Sequence, residues 1–177
     1  MSVNHQAQSL TSIKNTSSTR AKPTIYLSGP IQNVKERSEA ANWRNEIKER
    51  YGEELNFLDP MDNAWNTAQD SVIANAAEIV KTDKLMILQS DILFAYVPFP
   101  SVGTSMEIMW AYTHGKIVLV WCPIVAPLSA WIIEHAHYIE TTKPMLMSRL
   151  EIISYNMSKG LMLHLPIKAI SSTIKGL

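Results

Sequence analysis

The feature that most constrains the fold is an apolar segment followed at once by a turn and a helical pattern. Residues 91–97 (DILFAYV) are rich in branched and aromatic side chains, and Pro98 and Pro100 end the segment, which predicts a short buried strand. Residues 101–107 (SVGTSME) then begin a stretch in which apolar side chains recur at helical spacing. Residues 116–121 (KIVLVW) form a second apolar run. A strand, a helix and another fully apolar strand in this order predict parallel strands in a sheet covered by helices.

The same alternation of strands and helices runs through most of the chain. Two earlier strands are predicted at residues 23–27 and 55–58. Helices are predicted at residues 36–51, 70–88 (where Thr82 and Asp83 would allow a break), 103–114, 129–139 and 145–155. This alternation predicts a doubly wound α/β fold, flavodoxin- or Rossmann-like, with a mainly parallel five-stranded sheet and helices on both faces.

The length of the chain suits one folded domain. Its 177 residues are enough to bury a sizeable core, and we predict a single domain over residues 23–177, in which 142–177 form a C-terminal extension without a clear pattern. Residues 1–22 are rich in Ser, Thr, Asn and Gln and contain no apolar h-region, which argues against a secretory signal. We interpret them as a flexible N-terminal tail, with a transit peptide as the alternative.

Charge and cysteine content exclude several classes of function. The 16 basic and 16 acidic residues give a formal net charge of zero, whereas nucleic-acid binders usually carry a basic excess. The single cysteine, Cys122, rules out an internal disulfide and fits a reducing compartment, so we expect a cytoplasmic protein. No apolar run approaches the roughly 20 residues that span a bilayer. Nucleic acids and membranes are therefore not expected partners.

Polar residues follow the predicted strands, and in a parallel sheet such strand ends meet along one edge. The first strand would bring Tyr26 and a loop containing Ser28, Gly29 and Ile31 to this edge, and the third would bring residues 101–107. Ser101 and the amides near Gly103 suit capping of the helix and the binding of an anion.

The Gly-rich patterns typical of Walker phosphate loops and of dinucleotide sites are absent. His135 and His137 lie two residues apart, a poor spacing for a metal pair on a helix.

The remaining chemical signal is a pair of carboxylates. Glu107 falls about one turn into the predicted helix, where the helix dipole favours an ionised carboxylate, and Asp83 lies on the preceding helix. Two carboxylates about 5 Å apart suit glycosidic bond cleavage through a covalent intermediate. The alternatives are a solvated Glu107 on a capped helix and an Asp83 that caps a helix or pairs with Lys81 or Lys84.

Several short motifs resemble the nucleoside 2-deoxyribosyltransferase superfamily over residues 24–139. The matching segments are 25–31 (IYLSGPI), Thr82-Asp83, 89–91 (QSD), and 101–107 with Ala111 and Gly115-Lys116. The resemblance implies a doubly wound fold assembled as a homodimer or larger homo-oligomer. It also implies that Glu107 is the nucleophile, that Asp83 handles the proton on the leaving base, and that Tyr26 helps to orient Glu107 and the sugar.

One position within the resemblance points to a branch of the superfamily. Transferases acting on free nucleosides carry an Asp where this chain has Ser101, whereas the branch that hydrolyses nucleoside 5′-monophosphates carries a Ser. That branch also supplies a Leu-Ser-Ala segment across a dimer interface, similar to 128–130 here. The resemblance thus implies a cofactor-free N-glycosidase for (2′-deoxy)nucleoside 5′-monophosphates. The residues that would hold its phosphate are Ser28, Gly29, Ile31, Ser101, Gly103 and Ser129.

Three alternatives remain open from the sequence. The first is a deoxyribosyltransferase that exchanges bases on free deoxynucleosides. The second is a nucleotide-binding module without catalysis, and the third is a purely structural α/β protein. The loop at residues 59–66, which contains Trp65, is a candidate for contact with a planar base but carries no readable specificity.

Overall fold

The computed structural model describes residues 21–31, 34–63, 69–123, 128–161, 163 and 169–170. The strands are β1 (Thr24–Ser28), β2 (Asn56–Leu58), β3 (Ile92–Tyr96), β4 (Ile117–Trp121), β5 (Tyr138–Glu140) and β6 (Ala169–Ile170). The helices are α1 (Arg37–Tyr51), α2 (Gln69–Gln89), α3 (Val102–Thr113), α4 (Ala130–Glu134) and α5 (Lys143–Ser158), and a short 3₁₀ turn covers Pro60–Asp62.

The strands form one parallel sheet in the order β2-β1-β3-β4-β5-β6. This confirms the predicted doubly wound α/β fold, in which the two-residue β6 extends the five longer strands at the edge. The order of the first five strands is the flavodoxin-type order, whose winding reverses between β1 and β3. Ser28 at the end of β1 lies in register with Ala95 of β3, so the loops after both strands leave the sheet side by side. Open α/β sheets bind their ligands in the crevice at such a reversal.

Alternate residues of the central strands enter two separate apolar layers, as the period of two in a strand requires. Ile25 and Leu27 of β1 pack with residues of α1 and α5 on one face. Tyr26 points to the opposite face, where the strands pack with residues of α2, α3 and α4. Ser28 shares that orientation because it lies two residues further along β1. The alternation thus aims Tyr26 and Ser28 of β1 at the helices that carry the predicted carboxylates.

The structure corrects the prediction of a helix at residues 129–139. Ser129 does cap a helix, accepting a hydrogen bond from the Trp131 amide at 3.3 Å, but α4 ends at Glu134. Tyr138–Glu140 then form β5, which pairs with β4. Ile139 is almost fully buried there. Pairing with a buried neighbouring strand therefore outweighs the local helical pattern of this segment.

The predicted break in α2 at Thr82 and Asp83 does not occur; the irregular residue of this helix is Asn75, with φ of −116° and ψ of 15°. The helix predicted at residues 145–155 is present as α5, and its Leu146 and Leu150 are fully buried against the sheet. The helix after residue 142 is therefore part of the core. Of the predicted N-terminal tail, residues 1–20 lie outside the described residues.

In the described part of the chain, no helix combines the length and the apolar character needed to span a bilayer.

Candidate active site

The carboxyl group of Glu107 is held by two side chains of β1. The Tyr26 hydroxyl donates a hydrogen bond to Oε1 at 2.8 Å, and the Ser28 hydroxyl donates one to Oε2 at 2.5 Å. Tyr26 and Ser28 are both fully buried. Because each carboxyl oxygen has its own donor from a central strand, the orientation of Glu107 in α3 is fixed from two sides. The hydrogen bond from Tyr26 is the contact that its predicted orienting role requires.

The start of α3 lies next to Glu107 and is built from small hydroxyl residues. Ser101 is the N-cap, and its side chain accepts from the Thr104 amide at 3.4 Å and from the Thr104 hydroxyl at 3.0 Å. A Cβ atom added at Gly103 would meet no heavy atom within 4 Å, so a ligand group can approach the backbone there. Helix starts with accessible amides favour anions. The predicted role of Ser101 and Gly103 in anion binding is therefore compatible with their positions.

A cavity of about 550 Å³ opens above these groups. Its volume is within the usual range for small-molecule sites. It is lined by Gly29, Pro30 and Ile31 from the loop after β1 and by residues 99–104 from the loop after β3 and the start of α3. Asp83 and Glu107 supply its carboxyl groups, and α2 supplies the apolar side chains of Val72, Ala76, Ile79 and Val80. The site therefore combines hydroxyl groups, two carboxyl groups and an apolar surface.

Asp83 faces this cavity from the interior of α2, so it is not a helix cap. Its Oδ1 atom is buried without a hydrogen-bond partner among the described residues. Lys81 pairs with Glu78, and the Lys84 ammonium lies 4.3 Å from the centre of the Trp110 ring. The described contacts of Lys81 and Lys84 are thus with other residues, and they do not support the alternative in which Asp83 pairs with one of these lysines.

Burial raises the pKa of both carboxyl groups. Desolvation raises the pKa of Asp83 to about 6, against an opposing hydrogen bond from Tyr26. Desolvation also raises the pKa of Glu107 to about 7; the Ser28 hydrogen bond lowers it, the Asp83 charge raises it, and Tyr26 and Arg44 lower it. The pKa of Tyr26 is raised well above 10 by burial and by the two carboxylates, so its hydroxyl remains a donor at neutral pH. Carboxyls of this kind titrate as an interacting pair, the usual arrangement of an acid and a nucleophile.

The structure brings most of the predicted site residues together. Glu107, Asp83, Gly29, Ile31, Ser101 and Gly103 all line the cavity, and Tyr26 lies directly beneath Glu107. Ser28 is a correction to the predicted phosphate contacts, because its side chain is fully buried and its hydroxyl is used by Glu107. Ser129 does not line the cavity of its own chain and is exposed at the start of α4.

The predicted base-recognition loop at residues 59–66 is only partly described. Residues 64–68, which include Trp65, lie outside the described residues. Asp59 is nearly fully buried and pairs with Arg44 and Lys48, so its carboxylate is engaged in ion pairs within the protein.

Sequence reasoning missed Thr104, the apolar wall on α2 and Arg44. A signal for Arg44 was present, because it shares the helical face of Ala40, Ile47 and Tyr51 and is fully buried with them. A charged residue at a core position of an amphipathic helix indicates a buried partner.

Within the described residues, no group of three or more His, Cys, Asp or Glu side chains is arranged to hold a metal ion.

Solved structures of other proteins share this fold. A 2-deoxyribosyltransferase from the psychrotolerant bacterium Bacillus psychrosaccharolyticus superposes with a TM-score of 0.60 at 20% identity, covering 82% of this chain and 98% of that chain. A conserved protein from Enterococcus faecalis V583 superposes with a TM-score of 0.51 at 19% identity, covering 88% of this chain and 94% of that chain. At these identities the two structures establish a shared fold. A search of curated protein sequences found no significant match.

The sequence itself carries the family relationship. The model of the family described as nucleoside 2-deoxyribosyltransferase matches residues 25–162, which make up most of the chain. This span contains both carboxyl groups, the two hydroxyls that hold Glu107 and the whole lining of the cavity. The chain therefore belongs to the nucleoside 2-deoxyribosyltransferase family.

Proposed function

We propose that this protein hydrolyses the N-glycosidic bond of a (2′-deoxy)nucleoside 5′-monophosphate, releasing the free base and the sugar 5-phosphate. The observation that carries the proposal is the Glu107 carboxyl group, fixed by Tyr26 and Ser28 and facing Asp83 in one cavity. A fixed, partly desolvated carboxylate beside a second carboxyl group is the arrangement used for glycosidic cleavage through a covalent intermediate.

In the first step, ionised Glu107 attacks the anomeric carbon of the sugar. The bond between that carbon and the base nitrogen breaks, an ester to Glu107 forms, and the Asp83 carboxyl delivers its proton to the departing base. The step needs Glu107 ionised and Asp83 protonated. Burial raises the pKa of Glu107 to about 7 and that of Asp83 to about 6, so the two carboxyls hold a proton with similar affinity and the required arrangement is accessible near neutral pH.

In the second step, water cleaves the ester. Asp83, now ionised, accepts a proton from the attacking water, and Glu107 leaves as a carboxylate. Tyr26 and Ser28 donate hydrogen bonds to the carboxylate form and so favour both its attack and its departure. A free nucleobase attacking in place of water would transfer the sugar instead.

The start of α3 supports a phosphate at the 5′ position. Ser101, Gly103 and Thr104 line the cavity there, and residues 99–104 of the lining include no carboxylate. A dianion would be attracted there by the helix amides and hydroxyl groups. The cavity also lies within the volume range typical of ligands of this size.

The proposal is tested by incubating the protein with each deoxynucleoside 5′-monophosphate, with and without a competing free base. We expect base and sugar 5-phosphate in equal amounts, measured by chromatography. Base exchange faster than hydrolysis would instead identify a deoxyribosyltransferase. Binding without any release would identify a non-catalytic nucleotide-binding module.

Asp83→Asn is expected to slow base release by roughly two to four orders of magnitude, the usual contribution of a general acid. The loss should be largest for bases that leave poorly, because they depend most on protonation. The measurement is kcat for a series of monophosphates ordered by the acidity of the released base. A uniform loss across the series would contradict the role of Asp83 in protonating the base.

We further propose a homodimer in which Ser129 completes the neighbour's site. Val102 and Met106 of α3 are 84% and 59% exposed beside the cavity, and Trp131 of α4 is 67% exposed. Large exposed apolar side chains on two helices that contact each other favour a protein interface. Ser129 is exposed next to Trp131 and free to reach a partner.

The dimer is tested by complementation between two inactive variants. Glu107→Ala removes the nucleophile, and Ser129→Asp repels a phosphate while keeping a residue able to cap α4. Mixed dimers would hold one intact site each, so refolding the variants together should restore about a quarter of wild-type activity. The shared site would be contradicted if the mixed variants were no more active than the separate ones. It would also be contradicted if the wild-type protein sedimented as a fully active monomer.

A further inference from the structure

Arg44 is a fully buried cation on α1, and its surroundings connect it to the active site. Its Nη1 donates to the Ala40 carbonyl at 2.5 Å and its Nη2 to the Gly29 carbonyl at 3.0 Å. Its Nε lies 3.2 Å from Oδ1 of Asp59, and the guanidinium lies 4.4 Å from the centre of the Trp43 ring. Burying the guanidinium charge would be costly without these partners, so together they hold the Arg44 side chain in one orientation.

The contact with Gly29 joins Arg44 to the residues that hold Glu107. Gly29 follows Ser28, whose hydroxyl donates to Glu107. The backbone at Gly29 is also packed tightly, because an added Cβ would lie 2.8 Å from the Trp43 ring. Arg44 therefore fixes the end of β1 from one face of the sheet while Ser28 and Tyr26 hold Glu107 on the other.

Arg44 belongs to a small cluster of charged groups. Oδ2 of Asp59 lies 2.7 Å from the Lys48 ammonium, so two cations share this carboxylate. Lys48 also contacts the exposed Asp62 at 3.4 Å. The cluster thus holds two cations and two carboxylates, and Arg44 is its fully buried cation and is bound to the loop after β1. Charges at low local dielectric interact strongly with neighbouring buried groups.

We propose that Arg44 is a positioning residue that keeps the Glu107 carboxyl ionised and anchors the loop after β1, without touching the substrate. This inference rests on the proposed role of Glu107 as nucleophile. Arg44 is not among the residues that line the cavity, so its side chain does not contact a substrate bound in it. The groups facing Glu107 are Tyr26 and Ser28 from β1 and Asp83 from α2, with Arg44 acting from α1.

The direction of the charge effect follows from these neighbours. Burial and Asp83 raise the pKa of Glu107, whereas Arg44 lowers it. Removing the cation therefore leaves more of Glu107 protonated at a given pH. Base release needs Glu107 ionised beside a protonated Asp83, so this form becomes rarer and the maximum rate should fall.

The test follows the titration of the Glu107 carboxyl carbon by ¹³C NMR, assigned with Glu107→Gln, in the full-length protein. Arg44→Met is expected to move the titration upward by roughly half a unit to one unit. The maximum rate of base release should fall by a similar factor, roughly three- to tenfold, because the form with Glu107 ionised and Asp83 protonated becomes rarer. Arg44→Lys, which keeps the charge, should leave both close to wild type. The matched control is Arg50→Met on the same helix, which removes an exposed arginine paired with Glu151 and should shift neither.

The outcomes separate this inference from a purely structural role. A structural role alone would lower the melting temperature of Arg44→Met and leave the Glu107 titration in place, which would overturn the inference. If Arg44→Met does not fold, Arg44→Gln removes the charge while keeping a hydrogen-bond donor for the Gly29 carbonyl, and it should show the same upward shift. An unshifted titration in Arg44→Gln would also overturn the inference. A shift without any base release would support Arg44 and reject the proposed function.

Discussion

Glu107→Ala is expected to reduce base release by at least roughly a thousandfold while leaving substrate binding largely intact. Loss of a covalent nucleophile removes the main chemical route, and residual catalysis comes only from binding and positioning. The side chain reaches the cavity from the second turn of α3, and its truncation leaves the Tyr26 and Ser28 hydroxyls without their acceptor, so the melting temperature is recorded to separate lost chemistry from lost stability. The measurement is kcat for a monophosphate beside its dissociation constant by calorimetry.

Two control variants accompany Glu107→Ala, one of similar shape at the same position and one far from the cavity. Glu107→Gln keeps an acceptor for Tyr26 and Ser28 but removes the charge, and it should be almost as inactive as the alanine variant. Glu49→Ala, at an exposed position of α1, should retain wild-type turnover.

Trapping the intermediate tests the covalent step directly. A substrate with a slowly hydrolysed sugar should add the mass of one sugar phosphate to the wild-type chain and none to Glu107→Ala, as seen by intact mass spectrometry. Normal turnover in Glu107→Ala, or an adduct on another residue, would remove Glu107 from the mechanism.

Ser101→Asp is expected to reverse the preference of the protein between nucleotides and nucleosides. In the wild type, several charge-assisted hydrogen bonds to the phosphate, each contributing about 1.5–3 kcal/mol, should favour monophosphates by two or more orders of magnitude in kcat/KM. An aspartate at residue 101 would repel the phosphate and offer an acceptor to a free 5′-hydroxyl. Aspartate is also a good N-cap, so α3 should keep its start.

The measurement pairs each deoxynucleoside with its own monophosphate in both proteins. Ser101→Ala is the control for the loss of the hydroxyl alone, and we expect it to weaken the preference for the phosphate without reversing it. Equal rates on nucleoside and nucleotide in the wild type would contradict the phosphate site.

The sequence alone determined the layered fold and most of the candidate site. Fully apolar segments such as 92–96 and 117–121 have few alternatives to buried parallel strands, and their order implies helical crossovers. Because parallel strand ends share one edge, the pattern of the chain is enough to place Tyr26, Gly29 and Glu107 close together. These signals depend on residues that are close together in the sequence, so they can be recognised without the tertiary structure.

The tertiary structure decided the features that depend on contacts between distant segments. Ser28 and Glu107 are 79 residues apart, and only the register of β1 against β3 and the packing of α3 turn the serine hydroxyl toward the carboxyl group. The buried pair of Arg44 and Asp59 likewise joins a helix to the loop after β2. Residues 138–140 became a strand because β4 offered a buried edge to pair with. In each case the energy comes from a partner that the local sequence does not contain, so burial and pairing in three dimensions determine the outcome.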